Sequence, residues 1–340
     1  MRLFFIGDFS SENGPSSVNR ALKKIMPDNT LYSVETKPYK RIIELLIKIK
    51  QADLVLFSGL SKINIIGFKI TKLLRKKAAY LMHGSHLVEG KLNQNLNQNL
   101  IDIENKVLEL APVIICVSEN FMKYVKEHYP QHSNKTTYVN NGVDWNMVGL
   151  TEYGNIKRNK NMLLSVGGGT PLKKIEMICK AVNHLNSKEG YNLEFTVIGT
   201  NGSDTQKIKS YPFVTYIEKV EKRKMAHYYK TAQLYIQNSE FETFGLAMVE
   251  ALVCGCNILL SKNVGAISII DALEENDLID DINNIEEISE KIARNLLNNN
   301  NSRLIMSIDK DKTSIEASYK KIISNIKKSR DRNILKNYTN

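Results

Sequence analysis

The stretch Ser239–Gly255 reads "SEFETFGLAMVEALVCG": it begins with acidic and aromatic residues and continues as an apolar run that Glu250 interrupts. The spacing of the apolar residues predicts a helix over residues 244–253 that Gly255 ends. Its buried face would carry Leu246, Val249 and Val253. Since an unpaired carboxylate is costly to bury, the position of Glu250 indicates that a ligand needs it there.

The start of this helix predicts a binding site for a phosphate group. The first backbone N–H groups of a helix have no partner within it and carry partial positive charge, and Gly245 has no side chain to hold a phosphate away. Further along, Glu250 could accept two hydrogen bonds from a vicinal diol such as a ribose, and Glu242 precedes the helix near the same end. A nucleotide-sugar fits this arrangement. Glu242 as a helix cap and Glu250 in solvent would fit the sequence as well.

Short strand-like runs alternate with longer amphipathic runs along the chain, which predicts an α/β fold with parallel sheets. A polar segment without periodicity, 141–161, is the predicted linker. Before it we expect strands at 2–7, 31–35, 53–58, 78–84, 113–118 and 136–140, and helices at 37–50, 62–77 and 118–129. After it we expect strands at 162–169, 193–199, 214–217, 233–237 and 257–261, and a basic amphipathic helix at 318–338.

The chain of 340 residues carries a formal charge of +11, which favours an anionic partner such as a phosphorylated ligand, a membrane surface or a nucleic acid. No apolar run approaches the length of a membrane-spanning helix, and the N-terminus lacks the pattern of a signal peptide. We therefore expect a cytoplasmic protein, or one peripheral on the inner face of the plasma membrane. The cysteines lack zinc-site spacing and are predicted to be free buried thiols: Cys116, Cys179, Cys254 and Cys256.

The Glu-x7-Glu motif from Glu242 to Glu250 resembles the donor-site signature of the retaining family four glycosyltransferases, which have the GT-B fold. Seven positions of that signature are in register: Ser239, Glu242, Phe244, Gly245, Glu250, Ala251 and Gly255. Weaker resemblances follow the order of the family along nearly the whole chain. They lie at 7–22 (the loop after the first strand), 81–85 (a His-Gly segment), 116–125 (a Val-Ser helix start), 139–148 (the segment that joins the domains) and 163–182 (the first strand and helix of the donor domain).

The resemblance implies an α/β chain of two Rossmann-like domains whose parallel sheets face a central cleft. Residues 1–150 would form the N-terminal, acceptor-side domain, and residues 157–318 would form the C-terminal domain that binds the nucleotide-sugar. Residues 319–340 would form a C-terminal helix that packs back on the N-terminal domain.

The resemblance also implies roles in the donor domain. Glu250 would bind the ribose, Glu242 would lie near the hydroxyls of the donor sugar, and Lys173 would neutralise the diphosphate as negative charge develops there. Backbone N–H groups would contact the diphosphate and the sugar from three residues: Phe244, Gly245 and Leu246. Lys174 stands where the family has glycine, so the sequence leaves open which of the two lysines points into the site.

One departure from the family is Gly168, which follows Gly167 in the donor-binding loop and stands where an arginine is usual. The sequence therefore predicts that one phosphate-binding cation is missing. Either Lys222 or Arg223 would replace it, or the site would tolerate its loss.

In the N-terminal domain, His83 matches the family histidine and would hydrogen-bond the donor sugar near the reacting carbon or help to order the acceptor. Gly14, Pro15 and Ser16 would belong to the first loop on the acceptor side. Neither a general-base carboxylate nor an Asp-x-Asp metal motif stands out. We therefore expect no metal, and no cofactor besides the nucleotide-sugar, which is a co-substrate.

Two basic segments of the N-terminal domain bear on the acceptor. Segment 69–77 has five cations and no acid, and segment 37–50 adds cations beside a large apolar face. Helices of this kind dock on anionic membrane surfaces. An ordinary packed helix with a solvated basic edge would give the same pattern.

The resemblance, together with these features, implies a retaining hexosyltransferase that moves a sugar from a nucleotide donor to a glycan acceptor, expected to be lipid-linked, in bacterial polysaccharide or glycoconjugate biosynthesis. The donor would be a UDP-sugar in the first place and GDP-mannose in the second. The alternative is a non-catalytic relative that stabilises a partner transferase, which Gly168 keeps open. A nucleic-acid-binding protein is disfavoured because no basic and aromatic module is present. A dinucleotide-dependent oxidoreductase is disfavoured because the G-x-G-x-x-G pattern is incomplete.

Overall fold

The computed structural model of the chain describes residues 1–146 and 156–330, which form two compact units. The first unit contains Met1–Lys91, Leu96–Asp144 and the described part of Asp311–Asn340. The second contains Leu92–Asn95 and the described part of Trp145–Lys310. In these residues each unit is built on one sheet of six parallel strands, which confirms the predicted α/β class.

The strands of the first sheet are short apolar runs, as expected for parallel strands that helices cover on both faces. They are β1 (Leu3–Ile6), β2 (Leu31–Tyr32), β3 (Leu54–Ser58), β4 (Lys77–Met82), β5 (Ile114–Cys116) and β6 (Thr136–Tyr138). Their order across the sheet is β2-β1-β3-β4-β5-β6. The chain winds in one direction from β1 and in the other from β3, so the carboxyl ends of β1 and β3 mark the switch point of this sheet.

Strand β2 is shorter than the predicted run 31–35, and Glu44 provides the reason. The carboxylate of Glu44 accepts hydrogen bonds from the backbone N–H groups of Val34, at 2.9 Å, and Glu35, at 3.3 Å. A side chain thus satisfies the donors that a sheet neighbour would otherwise use. The backbone therefore leaves the sheet after Tyr32.

Six helices of the first unit follow the order of the chain: α1 (Gly14–Ile25), α2 (Pro38–Gln51), α3 (Lys62–Leu73), α4 (His86–Leu92), α5 (Gln98–Leu110) and α6 (Glu119–His128). Four of them begin with a side-chain cap, as expected for residues that accept from the free N–H groups of a first turn: Asn13, Ser61, Asn97 and Ser118. The predicted helix 62–77 ends at Leu73, because Arg75 adopts a left-handed conformation with φ 52° and the chain then enters β4.

The second sheet is wound like a dinucleotide-binding domain. Its strands are β7 (Asn159–Val166), β8 (Glu194–Ile198), β9 (Val214–Ile217), β10 (Ala232–Gln237), β11 (Asn257–Ser261) and β12 (Leu278–Ile279). Their order is β12-β11-β10-β7-β8-β9, so the winding reverses between β7 and β10. In such sheets ligands bind beyond the carboxyl ends of the strands at this switch point.

The helices of the second unit are α7 (Ile175–Lys188), α8 (Thr205–Lys209), α9 (Lys222–Thr231), α10 (Leu246–Val253), α11 (Ile285–Leu297) and α12 (Asn301–Ser307). The short helix α13 (Lys310–Thr313) begins at the last residue of the second unit, and its other three residues belong to the first. Apolar side chains of α7 and α11 pack against Phe195, Leu234 and other strand residues in one buried core. Burial of this core fixes the sheet, and with it the positions of the loops that follow the strands.

The last described helix, α14 (Ile315–Lys327), belongs to the first unit. Ser318 donates a hydrogen bond to the carbonyl of Asn140 at 3.0 Å, and Lys77 donates to the carbonyl of Lys327 at 2.6 Å. The helix thus begins before the predicted start at 318 and ends before the predicted end, and residues 331–338 lie outside the described residues. The predicted linker 141–161 is wrong at its end, since β7 begins at Asn159; residues 147–155 also lie outside the described residues.

Among residues 1–146 and 156–330, no helix is both long and apolar enough to cross a membrane.

The turn after β7 depends on a glycine at position 168. Gly168 has φ +66°, and a Cβ atom there would lie 2.1 Å from the carbonyl oxygen of Thr200. Because this oxygen belongs to the neighbouring backbone after β8, a rotamer change could not relieve the contact. The position therefore excludes any side chain, including the arginine that the resemblance led us to expect.

We expect Gly168→Ala to lower the free energy of unfolding by about 3 kcal/mol or more, from backbone strain and steric overlap together. Gly190→Ala is the matched control, because Gly190 also has a positive φ, +73°, but no atom lies within 4 Å of its would-be Cβ. Strain alone should cost the control about 1 kcal/mol. Urea unfolding of the full chain measures the free energy of unfolding of both variants. Equal losses would contradict the steric contact assigned between a side chain at position 168 and the Thr200 carbonyl oxygen.

Candidate active site

The loops after β7 and β10 meet at the switch point of the second sheet. The first loop carries Lys173 and the second carries Glu242, and the Lys173 Nζ lies 2.5 Å from Glu242 Oε2. Both side chains are only partly exposed, at 20% and 17%. The two residues that the sequence proposed for separate roles therefore form one ion pair.

Two neighbours hold this ion pair in place. Gln237, the last residue of β10, donates from Nε2 to Glu242 Oε2 at 2.8 Å. Gly167 leaves room for the lysine, since a Cβ at Gly167 would lie 2.9 Å from the Lys173 side chain. Gly167 thus lets the stem of Lys173 pass close to the backbone on its way to Glu242.

The structure resolves which of the two adjacent lysines points toward Glu242. Lys174 pairs instead with Glu240, with 3.0 Å between Nζ and the carboxylate, and its backbone adopts the left-handed conformation at φ 49°. Lys174 stands where the family has glycine, and its backbone keeps the conformation that glycine favours. The prediction that Lys174 contacts the donor stays a prediction.

Helix α10 begins two residues later than predicted. Gly245 precedes it with φ 104°, so the first helical residue is Leu246 rather than Phe244. The ring of Phe244 is buried and its carbonyl accepts from the Ala266 N–H at 2.7 Å. Glu242 does not cap the helix, because no side chain caps its start in the described structure.

The buried face of α10 differs from the predicted face. Its buried residues are Met248, Val249, Ala251 and Leu252. Leu246 and Val253 are only half-buried, because they lie at the two ends of this short helix. Gly255 does follow its C-terminus in a left-handed conformation, with φ 88°, which confirms it as the residue that ends the helix.

Glu250 lies within α10 with its carboxylate directed toward α9. Tyr229, which is buried, donates its hydroxyl hydrogen to Glu250 Oε2 at 3.1 Å. Burial raises the pKa of Glu250, and the positive charge of Lys222 and the bond from Tyr229 oppose this shift. Glu250 is therefore not a solvated surface carboxylate.

The cations considered as substitutes at the Gly168 position differ in their surroundings. The positive charge of Lys222 acts to lower the pKa of Glu250. Arg223 is exposed and pairs with Glu221, with 2.6 Å between Nε and the carboxylate. The N–H groups of Gly167 and Gly168 both donate to the carbonyl of Ile198. In this structure these two donors are engaged within the fold, and their predicted contact with the nucleotide stays a prediction.

In the first unit, His83 follows β4 and its hydrogen bonds define its tautomer. Ser58 donates its hydroxyl hydrogen to Asn19 Oδ1 at 2.7 Å, and His83 Nε2 lies 2.8 Å from the same hydroxyl oxygen. Because the single hydroxyl hydrogen of Ser58 goes to Asn19, the bond to His83 requires that Nε2–H donates to the Ser58 oxygen. Burial lowers the pKa of His83 to about 4, so the ring is neutral at pH 7 and its Nδ1 is an acceptor.

The residues predicted for the first loop lie in the first turn of α1 instead. Gly14 opens the helix, Pro15 follows, and the Ser16 N–H donates to the capping Asn13 at 2.8 Å. The Ser16 hydroxyl donates to Asp8 at 2.9 Å. The loop itself runs from Gly7 to Asn13, and the sequence misplaced its end because Pro is also common at the start of a helix.

Three residues near these sites escaped the sequence analysis: Gln237, Tyr229 and Glu104. Glu104 is buried and accepts from the Ser85 hydroxyl, the His86 N–H and the Tyr129 hydroxyl at 2.5–2.8 Å. It therefore holds the loop that follows His83. Glu104 is an acid on the apolar face of a helix, the same pattern that drew attention to Glu250, and this pattern could have identified it. No local pattern in the sequence marks Tyr229.

No group of three or more His, Cys, Asp or Glu side chains in the described part of the chain is arranged to hold a metal ion. The four cysteines are free, as predicted; Cys254 is half-buried and the other three are buried. The expected independence from metals stays a prediction.

We expect the neutral, buried His83 to make stability depend on pH. In the unfolded chain histidine titrates near pH 6.5, but in the fold the pKa is about 4, so the unfolded state binds more protons between these values. The contribution is fully present above pH 6.5 and declines as pH falls. From pH 7 to pH 5 wild type should lose about 2 kcal/mol more than His83→Gln in urea unfolding. Equal losses in the two proteins would contradict the buried neutral state.

Residues 152–313 match the family model described as "Glycosyl transferases group 1". A curated relative is D-inositol 3-phosphate glycosyltransferase 2 from Catenulispora acidiphila, which is 23% identical with 47% of this chain covered. The chain spans 42% of the length of that relative.

Solved structures resemble the chain over most of its length. The protein Alr3699/HepE from Anabaena, solved with UDP and glucose, has a TM-score of 0.71 at 13% identity, with 96% of this chain and 99% of that chain covered. Sucrose-phosphate synthase from Thermosynechococcus elongatus has a TM-score of 0.65 at 16% identity, covering 95% and 97%. The chain therefore has the GT-B fold, and residues 152–313 are similar to the group 1 glycosyltransferases.

Proposed function

We propose that the chain transfers a sugar from a nucleotide-sugar to an acceptor hydroxyl. The observation that carries this proposal is the Lys173–Glu242 ion pair beside the start of α10. A helix start supplies N–H donors for a diphosphate, a lysine supplies a counter-charge, and a carboxylate supplies acceptors for sugar hydroxyls. All three belong to the second unit and lie at the switch point of its sheet.

In the proposed reaction the bond between the anomeric carbon and the diphosphate oxygen breaks. A bond forms from the same carbon to the acceptor oxygen, and the acceptor proton passes to the departing diphosphate. Lys173 stabilises the negative charge that develops on this leaving group. Glu242 bonds to Lys173 and Gln237 through Oε2, so its Oε1 is available to accept from a sugar hydroxyl.

We propose that transfer retains the configuration of the anomeric carbon. The scheme uses the departing diphosphate as the proton acceptor, and it therefore needs attack on the face that the leaving group occupies. The resemblance of the Glu-x7-Glu motif to retaining enzymes supports this assignment.

For the donor, we propose a UDP-sugar ahead of GDP-mannose. Glu250 would accept from the ribose hydroxyls through the carboxylate that Tyr229 orients. The Anabaena structure, which contains UDP and glucose, supports UDP as the nucleotide.

We propose that the acceptor is a lipid-linked glycan of bacterial polysaccharide or glycoconjugate biosynthesis, reached from the membrane surface. Helix α2 exposes an apolar stripe at helical spacing: Tyr39 at 59%, Ile43 at 54%, Leu46 at 48% and Ile47 at 52%. Exposed Lys40 and Lys50 lie on the same helix. Apolar side chains flanked by cations fit the boundary between anionic headgroups and acyl chains.

Nucleotide release from UDP-sugars and GDP-mannose tests the transfer function. We expect Lys173→Met to lower kcat about 100-fold, since it removes charge stabilisation of the leaving group, and Glu250→Ala to weaken UDP binding about 10-fold or more. Lys180→Met is the control, because Lys180 pairs with Glu176 on the surface of α7. A folded wild type that binds UDP without turnover would support the non-catalytic partner subunit instead.

Flotation with anionic vesicles tests the membrane surface. We expect the pair Ile43→Ser and Ile47→Ser to reduce binding about tenfold or more, since each buried isoleucine contributes about 1.5 kcal/mol or more. Met306→Ser is the control, because Met306 is 84% exposed but lies in the second unit. If wild type fails to float at physiological salt, the lipid-linked acceptor loses its support.

A further inference from the structure

A cavity of about 600 Å³ lies within the first unit. The segments after β1, β2 and β3 line it, so it lies beyond the carboxyl ends of these strands. This is the switch point of the first sheet, between β1 and β3, where doubly wound sheets bind ligands. The cavity is large enough for one sugar ring with a substituent.

Arg41 lines this cavity with a guanidinium that is held in place but not neutralised. Its Nη1 donates to the carbonyl of Glu35 at 2.8 Å, and its Nη2 donates to the Ser33 hydroxyl at 3.2 Å. Its Nε is buried without any hydrogen-bond partner in the described structure. Both acceptors are neutral, so the positive charge of Arg41 is available to a ligand, and a bidentate anion would suit its planar donors.

Lys23 is the second cation that lines the cavity. Its Nζ lies 4.8 Å from the ring centroid of Tyr32 and 5.4 Å from that of Phe9. Within the described residues no carboxylate lies at ion-pair distance from Lys23. Two aromatic faces orient this ammonium group, and they leave its charge uncompensated.

Asp8 supplies acceptors in the same cavity. Hydrogen bonds from Ser11, Ser10 and Ser16 hold the pKa of Asp8 well below its usual range, so the group is a carboxylate at neutral pH. A carboxylate, two aromatic rings and two cations match a ligand with hydroxyls, an apolar ring face and one negative charge. A neutral sugar would leave both cations unused.

We propose that this cavity binds an acceptor that carries an anionic group, a phosphate or a carboxylate, on or beside a sugar ring, with Arg41 and Lys23 holding the anion. The assignment of this cavity as the acceptor site rests on the proposed transfer function. Binding itself does not depend on transfer, so the two can fail separately.

The test is binding to the full chain of three probes, glucose 1-phosphate, glucuronate and glucose, by calorimetry or ligand-observed NMR. We expect at least one anionic probe to bind at least tenfold more tightly than glucose, and the better of the two identifies phosphate or carboxylate. Lys23→Gln should weaken that probe severalfold and Arg41→Gln at least tenfold. Lys24→Gln is the control, because Lys24 is an exposed neighbour on α1 that does not line the cavity.

Arg41→Lys guards against misfolding, since it keeps the charge and should retain more affinity than Arg41→Gln. UDP binding, measured on the same samples, should be unchanged in all four variants. If no anionic probe binds at about 10 mM while UDP does, the anion site is wrong and the donor site stands. Equal affinity for glucose and both anions, or equal effects of Lys23→Gln and Lys24→Gln, would also overturn the proposal. If wild type binds an anionic probe but does not bind UDP, the result would support the anion site and count against the transfer function.

Discussion

The ion pair between Lys173 and Glu242 is the interaction on which the candidate site of the second unit depends. The two residues are 69 positions apart, and only the parallel order of β7 and β10 brings the loops that carry them together. Charged groups in a partly buried place need partners, and each supplies the partner of the other. Other local features serve this contact, since Gly167 gives the lysine stem its path and Gln237 holds the carboxylate.

The pair also sets a condition on any anionic ligand. To bind a diphosphate, Lys173 must either contact it while still paired with Glu242 or give up the contact with Glu242 for one with a phosphate oxygen. Because Glu242 bonds through one oxygen, the lysine can be shared between the two anions without moving far. A cation positioned before the ligand arrives loses little freedom when it binds, which would favour stabilisation of the charge that develops in the proposed transfer.

The sequence predicted what is local and missed what is assembled from distant residues. Alternating strands and helices and the Glu-x7-Glu spacing are local patterns, and eleven of the twelve strands in the described residues overlap the expected runs. Strand β12 was not expected, because a strand of two residues is too short to show a pattern. Tyr229 contacts Glu250 across two helices, and no spacing in the sequence announces that contact. The exclusion of a side chain at Gly168 likewise arises from Thr200 on a neighbouring connection. The shortened β2 has the same cause, since Glu44 reaches it from a helix that follows in the chain.

The two switch points use cations in opposite ways, which explains how one chain with a charge of +11 could treat two anions differently. In the second unit Lys173 is already paired with a carboxylate, so an incoming anion competes and gains most when its charge increases during reaction. In the first unit Arg41 and Lys23 face neutral carbonyl, hydroxyl and aromatic groups. The Asp8 carboxylate lines the same cavity, but among the described residues it pairs with neither cation. An anion there can therefore contact both cations in the ground state, which suits a site that holds an acceptor rather than a leaving group.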